Sequence, residues 1–354
     1  SLCRRADPAH MTIDPPRGLR WLGFVPAVIA LLALFAGMLW PWLRTPLIIA
    51  ISFGLASLGV SILVRAGQVS FGHAGYACLA GYVVVGLARR YPQLDAGALL
   101  ALGLATGCLA GVVVGLFITR YRGIFFGMLN LALSMVLFAI LGKFYHLTGG
   151  TDGLRMERPP MFGQMLERAD FENWLLWIGA ALIMASCWLV SRFQASPTGQ
   201  ALLAIKTNEV RLEYLGISAR RVFHAGYVVS AMLCGLSGAL FALIQGLVTP
   251  EMGYWVRSGE FVFIAVLGGT LHPVGAFLGA MAFEFIKLFA AAALTGIWQM
   301  VIGTVLLILI FTAPQGLVGG QSQRHAGTLQ LRPDPIRVLS RPHRSARGPE
   351  GRRI

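Results

Sequence analysis

The sequence SPTGQALLAIKTNEVRLEYLGI occupies residues 196–217 and is a polar segment between two apolar runs of membrane-spanning length. Ser196 is typical of a helix cap, Pro197 suits the first position of a helix, and Gly216 suits the residue just past a helix end. Asn208 is expected to restart the helix as an internal cap, which leaves a short final helix after it. The pattern favours either a rigid helix that docks into a groove on another subunit or an amphipathic helix lying on lipid.

The composition of the chain excludes a soluble globular domain. Hydrophobic residues make up 56% of the sequence, charged residues only 12%, and the mean hydropathy is +0.70. The net charge of +14 does not indicate nucleic-acid binding, because the arginines lie in loops and tails beside apolar runs. The five cysteines are scattered without metal-ligand spacing. These features together predict an integral membrane protein.

Apolar runs follow one another along most of the chain, and a membrane-spanning helix needs about 20 such residues. The runs lie near residues 21–40, 47–64, 74–88, 96–119, 124–144, 173–190 and 223–247, in a broken region at 261–294, and at 297–312. We interpret the broken region as two elements, the first a half-helix, separated by the glycine pair and proline of residues 268–273. The sequence therefore predicts an all-α fold, a polytopic integral membrane helical bundle of about ten membrane elements with helix breaks.

The arginines and lysines predict the orientation and the domain boundaries. They cluster before the first run, at residues 120–122, at 192–221 and after the last run, which should all be cytoplasmic. We therefore expect a cytoplasmic N-terminal arm at 1–20, a transmembrane domain at 21–318 that contains the loop 195–222, and a basic, disordered cytoplasmic tail at 319–354. Both termini are then cytoplasmic.

Two features inside the runs concern packing. Gly103, Gly107, Gly111 and Gly115 recur every four residues and should let a neighbouring helix approach closely, either as a static contact or as a sliding one. Glu284 and Lys287 are three residues apart on one predicted helix, and we expect them to neutralise each other.

Several motifs carry a resemblance to a known family. They are GQVSFGHAGY at 67–76, RGIFFGMLNLA at 122–132, LTGGTDGL at 147–154, PQGL at 314–317 and, in the polar segment, Ala201, Ala204, Asn208, Glu209, Leu215 and Gly216. This set resembles the branched-chain amino-acid permeases of ABC importers, of the LivM type, over roughly residues 46–319. Val69 and Phe71 are conservative departures from the family's pattern in the first motif.

The resemblance implies the ABC importer permease fold and a set of partners. These would be two ABC ATPase subunits, a second related permease and a periplasmic substrate-binding protein, at the bacterial inner membrane. The residues of the polar segment just named would form the coupling loop to the ATPase. The substrate would be a branched-chain amino acid or a related small solute, such as another amino acid, an amide or a urea-like compound.

Other polar residues are candidate site residues, each with a structural alternative. A translocation path could be lined by Gln68, Ser70, His73, Asn130 and Ser134, which could equally satisfy backbone groups at a helix break or bond between helices. The outer loop could contact the binding protein through Thr148, Gly149, Gly150 and Asp152, although Asp152 could simply cap the turn.

The sequence contains no motif for chemistry of its own. No phosphate-binding loop, zinc-protease motif or serine elbow is present, so we expect no catalytic residue, no metal and no cofactor on this chain, and ATP hydrolysis on partner chains. The alternative to an ATP-driven importer is a secondary transporter or channel that works without ATP.

Overall fold

The computed structural model describes residues 25–270 and 272–293, together with isolated positions between 300 and 316. The helices are α1 Val25–Leu39, α2 Arg44–Arg65, α3 His73–Arg90, α4 Ala96–Ile118, α5 Gly123–Lys143, α6 Tyr145–Thr148, α7 Arg168–Ala195, α8 Pro197–Tyr214, α9 Ala219–Gln245, α10 Trp255–Gly268 and α11 Pro273–Ala293. Short 3₁₀ turns lie at Pro41–Leu43, Gly150–Asp152 and Pro250–Gly253. The strands β1 Leu154–Arg155 and β2 Leu247–Val248 pair in antiparallel fashion, with Leu154 opposite Val248.

The predicted helical membrane bundle is confirmed in the described part of the chain. Six helices there are long and apolar enough to cross a membrane, namely α2, α4, α5, α7, α9 and α11. α1 and α3 are shorter, with 15 and 18 residues. The last predicted run, at 297–312, falls almost entirely outside the described residues, as do the predicted arm at 1–20 and tail at 319–354.

The core of the bundle is built around α2 and α9. In their most apolar 18-residue stretches, 89% and 72% of the residues are buried, whereas in those of α4 and α5 only 33% and 22% are. α2 and α9 are joined by a buried hydrogen bond from Ser52 Oγ to the Ser237 carbonyl at 2.8 Å. The exposed apolar faces of α4 and α5 suit contact with lipid or with another membrane subunit.

The glycine stripe of α4 packs against α9. All four glycines are buried, and a Cβ placed on Gly111 would lie 2.6 Å from the Cβ of Ala231 on α9. Such a distance is far inside van der Waals contact, so only glycine allows the two backbones to come this close. The predicted close helix contact is confirmed.

The predicted helix break at 268–273 is present, but the half-helix before it is longer than the apolar run. α10 begins at Trp255, not at Phe261, and ends at Gly268; Gly269 has a φ of +89° and α11 starts at Pro273. The 14 residues of α10 span about 21 Å, less than the ~30 Å of a bilayer core. The sequence-based start was wrong because Arg257 interrupts the apolar run. This arginine forms an ion pair with Glu260, which lets the charged turn join the helix.

The bundle has two ends. At one end, which we call the α8 end, lie α8, Arg65 and the turn at 119–122. At the other, the ribbon end, lie the β1–β2 ribbon and the loop at 144–167.

Candidate functional site

The polar segment at the α8 end folds as its sequence predicts. Ser196 caps α8 by accepting a hydrogen bond from Gly199 N at 3.2 Å, and Pro197 opens the helix. Asn208 leaves helical geometry, with φ −163° and ψ 99°, and its side chain accepts a hydrogen bond from Arg211 N at 3.0 Å. Gly216 has a φ of +78° just beyond the helix end. The internal cap and the short final helix are therefore confirmed.

One face of α8 packs on the bundle and the other is exposed. The buried side consists of Ala201, Leu202, Ile205 and Leu212. Beyond the Asn208 kink, the apolar side chains Val210, Tyr214 and Leu215 are 60%, 88% and 72% exposed. We call these three residues the α8 apolar tip. Ala204 is half-buried at the edge of the packed face.

Glu209, the first residue after the kink, is held by Arg122 at the start of α5. The Arg122 guanidinium binds both carboxylate oxygens, with Nη2–Oε1 at 3.0 Å and Nε–Oε2 at 3.2 Å. The same guanidinium donates to the Thr119 carbonyl at 2.6 Å and lies 4.4 Å from the centre of the Phe223 ring. This two-pronged geometry fixes the direction of the short helix better than a single lysine contact could.

The α2–α3 break connects the same region to the interior. Gln68 Oε1 accepts a hydrogen bond from Gly123 N at 2.6 Å, and Gly67, with a φ of +75°, lies against the side chain of Lys206 on α8. The break therefore contacts both α8 and the first residue of α5. Gln68, a predicted path residue, here satisfies a backbone N–H at a helix start.

Above the break, buried polar side chains form a network. His73 Nδ1 lies 2.6 Å from Ser70 Oγ. Tyr227 on α9 donates to Asn130 Oδ1 at 2.6 Å and therefore accepts from the hydroxyl of Tyr76, also at 2.6 Å. The rings of Tyr76 and Tyr227 pack edge-on against His73, at 5.4 and 5.3 Å between centroids. His73 Nε2 is buried and has no hydrogen-bond partner among the described residues.

Asn130 and Ser134 share one buried face of α5, as their spacing predicts. Asn130 also donates to the Phe126 carbonyl at 2.9 Å, while Ser134 donates to the Gly253 carbonyl at 2.6 Å. A Cβ on Gly72 would lie 2.6 Å from the Asn130 carbonyl carbon, so α5 runs directly against the break. The structure thus buries all five predicted path residues at or next to the break, namely Gln68, Ser70, His73, Asn130 and Ser134. Their role in a path stays a prediction.

The predicted outer-loop residues lie together at the ribbon end. Thr148 is buried and donates to the carbonyls of Leu141 and Phe144, the latter at 2.7 Å. Gly149 and Gly150 have φ values of +71° and +57°. Asp152 is exposed, and its side chain forms no hydrogen bond within the described residues. The turn is therefore held by Thr148 and not by an Asp152 cap, which leaves this carboxylate available to a partner.

Charged side chains of α10 and α11 cluster beside α2. Arg257 Nη1 donates to Glu260 Oε2 at 2.7 Å. Arg257 and Lys287 both lie over the Phe53 ring, at 5.3 and 5.6 Å from its centre. Glu284 Oε2 is buried and has no hydrogen-bond partner among the described residues. Glu284 and Lys287 form no direct ion pair among the described residues, because the lysine lies over the aromatic ring, but its charge still acts on the buried carboxylate as the predicted neutralisation requires.

Sequence reasoning missed Tyr76, Tyr227 and the partner of Glu209. A tyrosine within an apolar run is a usable signal, since a buried hydroxyl normally needs a partner. The Arg122–Glu209 pair spans 87 residues of sequence and gives no local signal.

The fold and this set of buried and exposed polar groups define a polytopic helical membrane protein. The family model described as "Branched-chain amino acid transport system / permease component" matches residues 42–311, and the chain belongs to this family.

Individual relatives agree with this assignment. The chain is 24% identical to the high-affinity branched-chain amino acid transport system permease protein LivM of Escherichia coli over 290 residues, covering 75% of this chain and 67% of LivM. It is 24% identical to LivH of the same organism over 289 residues, covering 76% and 91% of the two chains. It is also 29% identical to the autoinducer 2 import system permease protein LsrC of Klebsiella pneumoniae over 237 residues, 64% of each chain.

Proposed function

We propose that this chain is a transmembrane permease subunit of a bacterial ABC importer for branched-chain amino acids or related small solutes. It would work with two ABC ATPase subunits, a second related permease and a periplasmic binding protein, and would bind no cofactor itself. The α8 end would face the cytoplasm, with both termini on that side of the inner membrane. The names of the LivM and LivH relatives support the substrate class, and the LsrC relative supports the wider range of small solutes.

The observation that carries the proposal is the α8 apolar tip, which is exposed and yet rigidly held. An apolar helix end that is free to move would be a poor receiver of force. Here the Asn208 cap and the two hydrogen bonds between Arg122 and Glu209 fix the tip to the start of α5. Such a tip suits a groove on an ATPase subunit.

The contacts behind the tip suggest how a push would travel. Arg122 immediately precedes α5, and the first N–H of that helix is held by Gln68 in the α2–α3 break. Movement of α8 would therefore shift α5 relative to the break, where Ser70, His73 and Asn130 lie. We propose that this shift switches the permease between its two access states.

The ribbon end would face the binding protein. Its exposed Asp152 lies next to the β1–β2 ribbon, and the glycines before it shape the turn. The proposed binding-protein contact includes Thr148, Gly149 and Gly150 as the residues that shape this turn.

Purification from the native membrane tests the proposal. The tagged chain, extracted in mild detergent, should bring down ATPase subunits and a second permease that mass spectrometry identifies. The reconstituted complex with its binding protein should accumulate leucine only with ATP. A solitary chain or homo-oligomer, under conditions that preserve a known importer, would contradict the proposal and support a transporter that works without ATP.

A further inference from the structure

A cavity of about 230 Å³ lies near the ribbon end, where α9, the 3₁₀ turn Pro250–Gly253 and the first turn of α10 meet. We call it the α10 cavity. Its lining combines one cation, one anion, neutral polar groups and apolar groups, and the residues used below are Arg257, Glu251, Gln245, Thr249, Phe241 and Met252. The volume is many times the ~10–15 Å³ that one water needs, so a small organic solute fits.

Arg257 is held in place by groups outside the cavity. Its Nη1 donates to Glu260 at 2.7 Å and its guanidinium lies 5.3 Å from the centre of the Phe53 ring. A guanidinium carries five N–H donors, and Glu260 takes one of them. Because the side chain is 27% exposed, the remaining donors are within reach of a solute, and an oriented fork of this kind matches a carboxylate.

Glu251 supplies the opposite charge. It is exposed in the 3₁₀ turn and forms no ion pair within the described residues. Glu260 and, on α11, Glu284 and Lys287 also lie near Arg257. With Glu251 these side chains carry two positive and three negative charges, so the surroundings are close to neutral, which disfavours a solute with a large net charge of either sign.

The remaining lining completes the match to one class of solute. Thr249 offers a hydrogen bond, and Phe241 and Met252 offer an apolar surface. A carboxylate partner, an ammonium partner and an apolar wall together fit a small α-amino acid in its zwitterionic form. A simple carboxylate would leave Glu251 without a partner, and a simple amine would leave the remaining N–H donors of Arg257, beyond the one bound by Glu260, unused.

We infer that the α10 cavity is a subsite for a zwitterionic α-amino acid, in which Arg257 binds the carboxylate, Glu251 binds the ammonium group and Phe241 and Met252 contact the side chain. This inference rests on the proposed function, since it names where the solute of that importer would contact this chain.

Ligand protection of a reporter cysteine tests the inference directly. Gln245 is exposed at the cavity, so Gln245→Cys is introduced into the full chain with Cys3→Ser and Cys108→Ala, and the complex is placed in nanodiscs. The probes are L-leucine, 4-methylpentanoate, which lacks the ammonium group, and 3-methylbutylamine, which lacks the carboxylate. Leucine should slow labelling of the cysteine by a charged thiol reagent. Each analogue should need about a tenfold higher concentration to give the same protection.

Variants identify the contacts. Glu251→Gln alters an exposed side chain and should weaken protection by leucine about tenfold. Protection by 4-methylpentanoate, which has no ammonium group, should stay unchanged. Arg257→Gln should weaken protection by leucine and by 4-methylpentanoate alike. Arg257→Lys keeps a positive charge next to Glu260 and is the control for misfolding. Arg90→Gln, an exposed arginine at the same end but outside the cavity, is the matched control.

The outcomes separate this inference from the proposed function. Leucine uptake by the unmodified complex without any protection at Gln245→Cys would overturn the subsite and leave the importer standing. Equal protection by leucine and 4-methylpentanoate would also overturn it, as would protection insensitive to Glu251→Gln. Protection with the expected charge dependence, in a chain that neither binds ATPase subunits nor uses ATP, would support the subsite and refute the importer.

Discussion

The link between Arg122 and Glu209 should couple ATP use to transport, and Arg122→Gln is the sharpest way to break it. Arg122 lies beneath the short final helix and outside the α8 apolar tip, so the change leaves the proposed ATPase contact intact. The side chains of Arg122 and Glu209 are 22% and 33% exposed, so solvent screens the pair and its loss should cost only about 1 kcal/mol. The lost bonds to carbonyls of the 119–122 turn add a similar amount.

The effect on coupling should be larger than the effect on stability. Coupling free energies between sites are typically about 1–3 kcal/mol, or roughly 5–150-fold. We therefore expect Arg122→Gln to lower leucine taken up per ATP hydrolysed by about tenfold. ATPase activity and thermal unfolding are measured on the same reconstituted samples. ATPase activity should persist, and the unfolding temperature should fall by only a few degrees.

Two further variants make the test decisive. Arg120→Gln removes an exposed arginine of the same turn that forms no ion pair within the described residues, and it should leave coupling unchanged. Glu209→Gln should resemble Arg122→Gln, and the double variant should be no worse than either single variant, because one interaction is lost in all three. If the two single effects multiply, or if ATPase activity and uptake fall in parallel, the reasoning is refuted.

Three other predictions concern packing, the buried network and the cap. Gly111→Leu should prevent α4 from packing on α9, since even a Cβ there would lie 2.6 Å from that of Ala231, and the yield of folded protein in detergent should collapse. Gly86→Ala, in open space on α3, is the control, and a normal yield of Gly111→Leu would contradict the packing. Tyr227→Phe should lower the free energy of unfolding by about 1–3 kcal/mol, because Asn130 and Tyr76 lose their hydrogen-bond partner. Tyr82→Phe removes a buried hydroxyl without a partner among the described residues and should leave stability unchanged. Equal thermal unfolding temperatures for the two variants would count against the network. Asn208→Ala removes the internal cap and should destabilise the short final helix by about 1 kcal/mol. Amide hydrogen exchange should then be faster in residues 209–214 but not in 198–206, and unchanged exchange would show that the cap does not hold the tip.

How far the sequence alone leads depends on how local each interaction is. The caps of α8 and the kink at Asn208 involve partners three residues apart, so residue type and position were enough to predict them. The break before Pro273 follows for the same reason, because glycine and proline act on their own backbone. The start of α10 did not follow, since an arginine within an apolar stretch can join a helix once a glutamate one turn later neutralises it.

The candidate site shows the same division. Gln68, Ser70, His73, Asn130 and Ser134 could be selected as polar residues within apolar surroundings, but their bonding partners could not. Asn130 meets Tyr227 across 97 residues of sequence and Ser134 meets Gly253 across 119. The polarity of a residue is a property of the chain, whereas its partner depends on which helix faces are packed together.

The sequence by itself determined that this protein is a helical membrane protein with a capped, kinked helix outside its spans, because hydropathy, caps and glycine spacing act over a few neighbouring residues. Its motifs carried the resemblance to the permease family. Only the tertiary structure decided that Arg122 holds Glu209, that Tyr227 joins Tyr76 to Asn130, and that Arg257 and Glu251 line one cavity. The groups of the first two contacts come from helices far apart in the chain, and the cavity forms only because α9 packs beside the neighbouring residues Glu251 and Arg257. Both depend on the rotation and depth at which each helix packs in the bundle.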